Sequence, residues 1–134
     1  MSQSTTDQTN LQKQITRICQ ASTHHENAGD AAAYAYFDLL LTEDFRFRRA
    51  NATVDTKPDF LGKLAAGIRM VRQLELPVHV ESYDDVVIAT FIIGDANQPA
   101  RFRNIRVFRR EGTTEMEDET HGWRWAMGHN TRVP

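Results

Sequence analysis

The chain has 134 residues, enough for one domain whose core needs no disulfide or metal. Its 40% hydrophobic and 25% charged residues are ordinary for a globular domain, and no apolar run approaches the length of a membrane span. A net charge of −2 argues against a dedicated nucleic-acid binder, and the single cysteine, Cys19, excludes an internal disulfide framework or a Cys-rich zinc site.

Residues 1–10 are polar and lack the apolar core of a signal peptide, so they read as a disordered tail ahead of a single domain, 11–134. Cytoplasmic location is the matching expectation. Leu11, Ile15, Ile18, Cys19 and Ser22 recur at three- and four-residue spacing and predict a first helix ended by Gly29. Asp30 caps a second helix running from Ala31 to about Leu41, with Phe37, Leu40 and Leu41 as its buried side. Phe45 to Arg48 alternates and predicts a short strand, with a return over Thr53–Asp55 after a turn at Asn51-Ala52. Thr56-Lys57-Pro58-Asp59 is a helix start: a hydroxyl cap, a first-turn proline and an acid at the positive end. Four strands follow, Gln73–Ser82, Val86–Gly94, Ala100–Arg110 and Gly122–Arg132. Pro77 points to an edge position or a bulge in the first of them. The connection Gly112–Gly122 is acidic and is read as an offset to the basic strand residues Arg46, Arg48, Arg101, Arg109 and Arg110. Helices followed by strands make an α+β arrangement.

This order resembles the NTF2-like superfamily, and within it the SnoaL-like and DUF4440-type small domains. The resemblance is carried by Asn27-Ala28-Gly29-Asp30, Leu41 to Phe47, Thr56 to Leu61, Arg103 to Gly112 and Gly122-Trp123-Arg124-Trp125. It implies a strongly curved antiparallel sheet wrapped around three helices, forming a cone with an internal pocket. It also implies a homodimer through the convex sheet face. The family's steroid isomerases carry an aspartate base, a tyrosine donor and an acidic partner. The matching positions here are Arg49, Ser22 and Ile105, so typical ketosteroid isomerase chemistry is not expected.

Strand parity assigns the faces. It places Trp123, Trp125, Met127 and His129 inward, with Arg103, Ile105 and Val107, and with Val87, Ala89, Phe91 and Ile93. Phe102, Asn104, Arg106, Phe108, Arg124 and Arg132 are then outward. Arg49 and Arg103 inside an apolar pocket would favour a carboxylate, because guanidinium groups bind such anions bidentately. The plainer alternative is that an internal acid such as Asp38 or Glu26 satisfies them.

The expected function is binding of a small, partly apolar, anionic ligand by Ser22, Arg49, Phe91, Arg103, Ile105, Trp125 and Met127. A second reading is a non-catalytic assembly domain working through the convex face. A third is a cofactor-independent isomerase, dehydratase or cyclase-like lyase using His129 with Asp38 or Tyr34. His24-His25-Glu26 is not read as a metal site, since adjacent helical side chains diverge by about 100°. Neither a metal nor another cofactor is expected, and neither a membrane nor a nucleic acid is an expected partner.

Overall fold

A computed structural model describes residues 5–67, 71–95, 98–111 and 120–134. Three helices and six strands follow in the order α1 (Thr5–Ala28), α2 (Ala31–Leu40), β1 (Leu41–Arg48), β2 (Val54–Thr56), α3 (Lys57–Ala65), β3 (Arg72–Tyr83), β4 (Val86–Asp95), β5 (Gln98–Arg110) and β6 (Trp123–Arg132). The strands form one curved, unclosed sheet in the order β2-β1-β6-β5-β4-β3. All neighbours are antiparallel except β1 and β6, which run parallel and make the sheet mixed.

Local chemistry sets the helix ends. Gly29 adopts a positive φ of 60° and donates its N–H to the His25 carbonyl, which ends α1. The Asp30 carboxylate accepts from the Ala33 N–H and starts α2. Thr56 and Asp59 form a reciprocal capping box at α3, with Pro58 in the first turn. Two boundaries differ from expectation. The first helix starts at Thr5 rather than Leu11. The second gives way directly to β1 at Leu41, whose backbone is already extended.

Pro77 does lie on an edge strand, β3, in an irregular stretch. The pairs Glu75↔Ile92 and His79↔Thr90 leave Leu76, Pro77 and Val78 facing the single residue Phe91. α1 anchors this edge. The Asn27 side chain accepts from the Arg72 N–H and donates to the Arg72 carbonyl, both at 2.8 Å. The Gln12 amide donates to the Val78 carbonyl further along.

Two face assignments are corrected by register. On β6, Val107↔Met127 and Phe108↔Trp125 leave Ala126 without a partner. One extra residue is a β-bulge, and it flips every side chain beyond it. Trp123 and Trp125 are buried as expected, but beyond the bulge it is Gly128 and Asn130 that are buried. Met127 is 53% exposed, and His129 shares its face. On β5, Phe91 opposes Asn104, Ala89 opposes Arg106 and Val87 opposes Phe108. Opposed residues share a face. Because Val87, Ala89, Phe91 and Ile93 are buried, as expected, Asn104, Arg106 and Phe108 are buried with them. Arg103, Ile105 and Val107 therefore face outward.

The core joins Ile15, Ile18 and Cys19 of α1, Phe37 and Leu40 of α2, Phe60 and Leu64 of α3, and the inner sheet face. Phe37, Phe60, Phe45, Trp125 and Phe47 form a run of ring contacts through it, with centroids 4.9–6.0 Å apart.

Candidate functional site

Arg106 is the feature of this core that elementary electrostatics singles out. Its side chain is only 1% exposed. The Nε donates to Asn104 Oδ1 at 2.8 Å, and Nη1 donates to Ser22 Oγ at 2.6 Å. The guanidinium carbon sits 4.1 Å from the Trp125 ring centroid and 5.0 Å from that of Phe91. Among the described residues no carboxylate lies within ion-pair distance of it, and Nη2 has no acceptor. The nearby acid, Glu26, is held by Arg72, whose Nε donates to Glu26 Oε1 at 2.7 Å.

The surrounding elements are each needed for this arrangement. Cys19 and Ser22 stand three residues apart on α1, and Ser22 donates back to the Cys19 carbonyl at 2.9 Å. Asn104 and Arg106 stand two apart on β5, on one face. Asn104 in turn donates to Asn130 on β6, so its carbonyl oxygen is left for Arg106. Burial pulls the Arg106 pKa down; the neighbouring Cys19, Glu26 and Tyr36 oppose this, and Arg72 adds to it. Burial likewise pushes the Cys19 thiol up to about 11, against the pull of Arg106. The thiol thus stays protonated near neutral pH and is a poor nucleophile. Native protein at pH 8 is expected to resist iodoacetamide, with full alkylation only after unfolding. Rapid native alkylation, read by mass, would contradict this.

The residues expected from sequence divide into two groups. Ser22, Phe91 and Trp125 meet around Arg106. Arg49 is neutralised rather than unpaired: its Nε and Nη2 both contact Asp55 Oδ2 at 2.7 Å, while Lys63 holds the other Asp55 oxygen at 2.9 Å. The acid that satisfies Arg49 is therefore Asp55, rather than Asp38 or Glu26. Arg103, Ile105 and Met127 lie on the outer sheet face. His129 lies there too, with Nδ1 3.3 Å from Thr131 Oγ1.

Tyr34 and Asp38 are on the exposed side of α2, in a 450 Å³ cleft shared with Glu43, Lys57 and Leu61. Lys57 donates there to the Asp38 carbonyl at 2.8 Å and to Glu43 Oε1 at 3.1 Å. The structure does not bring His129 together with either Asp38 or Tyr34. His25 stacks on Tyr36, 4.3 Å between centroids. Among the described residues no group of three or more His, Cys, Asp or Glu could hold a metal ion. Of the basic strand residues, Arg101 pairs with Glu75, and Arg109 with Asp44 and Glu111. The acidic stretch 115–119 lies outside the described residues.

Arg106 and Asn104 are the site residues that sequence parity missed. The signal was the β4 pattern: if Ala89 is inside, its cross-strand partner is inside as well.

No family model and no curated protein matches this chain. Its fold is similar to that of several solved structures. An NTF2-like superfamily protein from Salmonella enterica is 12% identical with a TM-score of 0.72, over 95% of this chain and 94% of that one. An NTF2-like protein from Cytophaga hutchinsonii is 15% identical with a TM-score of 0.68, over 91% and 98%. The CaMKII hub of S. rosetta is 13% identical with a TM-score of 0.68, over 90% and 95%.

Proposed function

Taking the NTF2-like fold as premise, we propose that this chain binds a small, partly apolar monoanion inside its cone, against Arg106. One observation carries the reading: a fully buried guanidinium that no carboxylate of the described residues neutralises. An uncompensated buried cation costs several kcal/mol even after relaxation, on the order of the effective penalty per ion. Ser22, Asn104 and the two ring faces offset part of that. An anion accepting from Nη2 would supply the missing charge through a charge-assisted hydrogen bond. With Nε and Nη1 already donating, a single acceptor oxygen suits the site better than a bidentate fork. The Trp125 and Phe91 rings favour an apolar body next to it.

Trifluoroacetate is a suitable probe, being a compact monoanion with a fluorine signal. Wild-type protein is expected to broaden its ¹⁹F line saturably, with acetate competing. In Arg106→Met the affinity is expected to fall about tenfold or more, equivalent to about 1.4 kcal/mol. Arg106→Lys should retain part of it. Equal broadening by folded Arg106→Met would contradict the proposal.

A second reading, self-association through the outer sheet face, rests on one row of that face. Register places Arg46, Met127, Val107, Ile88 and Glu81 side by side across five strands. An apolar centre with a cation at one end and an acid at the other is self-complementary about a two-fold axis. The neighbour named as a hub fits such a use of the fold. Met127→Glu is expected to turn a dimer into a monomer in analytical ultracentrifugation. An unchanged sedimentation coefficient would count against the row.

A further inference from the structure

The irregular stretch of β3 leaves a depression in the outer face. Three residues, Leu76, Pro77 and Val78, span the distance that Phe91 alone covers on β4. The strand therefore lifts away from its neighbour, and a pit of 200 Å³ opens between them. Its apolar wall is Leu76, Pro77 and Ile92, with the Phe91 backbone between them. Leu76 is left 63% exposed beside it.

The polar rim has a definite charge. Arg101 is fixed, donating from Nε and Nη2 to the two Glu75 oxygens at 2.8 and 3.2 Å. That fork neutralises Glu75, which would otherwise repel an anion at the rim. Arg103 also lines the pit, next to Ile92 in register, and has no acidic partner among the described residues. His79 lies on the opposite rim. An unengaged guanidinium beside a small apolar wall is the arrangement that recognises a carboxylate with a compact hydrophobic body.

We infer that the pit at the β3 bulge is a second ligand site, separate from Arg106, for a small apolar carboxylate held by Arg103. The volume is below that of a drug-sized pocket, so the ligand is about the size of one aromatic ring with its acid group.

The test is a titration of isotope-labelled, full-length protein with benzoate, followed by amide ¹H–¹⁵N shifts. Saturable shifts are expected at the amides of Glu75, Leu76, Val78 and His79 and of residues 90–92. Arg103 is exposed, so Arg103→Met should fold normally, yet bind benzoate about tenfold more weakly, a difference of about 1.4 kcal/mol. Arg103→Lys should keep most of the affinity, and neutral benzamide should give no saturable shift. Trifluoroacetate binding at Arg106 should survive Arg103→Met, which separates the two sites. Any of three results overturns the inference: no saturable shift with benzoate, unchanged affinity in Arg103→Met, or equal binding of benzamide.

Discussion

Replacing Glu26 with alanine is expected to lower the unfolding free energy by about 3–5 kcal/mol, the range for removing one partner of a buried ion pair. The side chains of Glu26 and Arg72 are 11% and 6% exposed, so solvent screens them little. Asn27 holds the Arg72 backbone in place, so the stranded guanidinium cannot easily swing into water. It would also lie close enough to Arg106 for the two cations to oppose one another. Urea unfolding followed by tryptophan fluorescence measures the loss. Replacing both partners with methionine should recover much of it, because a buried pair is often no better than well-packed apolar groups. A loss below about 1 kcal/mol for Glu26→Ala would mean that the pair is effectively solvated.

Gly128→Ala tests the packing beneath the bulge. A Cβ built at Gly128 would lie 2.4 and 2.8 Å from Phe47 ring carbons and 2.9 Å from Trp125 Cζ2. Phe47 and Trp125 are both buried and in edge contact with each other, so neither can give way cheaply. The expected loss is about 3 kcal/mol, at the upper end for overpacking. Adding Phe47→Leu to Gly128→Ala should restore part of the stability by removing the clashing ring atoms. A stable Gly128→Ala protein would show that β6 does not turn this residue inward, and the bulge at Ala126 would then be wrong.

Much of the fold was legible because it depends on local chemistry. Gly29, Asp30 and the Thr56–Asp59 capping box each act within one turn of helix. Pro77 marked its edge strand because proline cannot donate to a ladder. The four strands of the second half were found to within a few residues at their ends for the same reason, since turn residues separate them.

What was not legible depends on register. Ala126 carries no mark of a bulge, so parity was carried past it and placed Met127 and His129 on the wrong face. On β5, apolarity itself misled. Ile105 and Val107 are outside, while Asn104 and Arg106 are inside. The two buried polar residues hydrogen-bond to each other, and Arg106 is stacked on aromatic rings, so burial does not require them to be apolar. The ion pair of Arg49 was not legible for a third reason. The acid that consumes it, Asp55, lies across a β1–β2 turn whose pairing brings the two together. Ser22, Phe91 and Trp125 were placed correctly, yet the cation they surround is Arg106 rather than Arg49 or Arg103.

Arg106 is proposed above to be a buried cation that receives an anion. The most direct measurement is the ¹⁵N spectrum of the arginine side chains, recorded with and without trifluoroacetate. Arg106→Met supplies the assignment. The Arg106 Nη resonance is expected to shift on saturation while that of Arg72 moves little. A folded protein whose Arg106 signals stay fixed at saturating trifluoroacetate would contradict it and leave Arg106 as a structural member of the core.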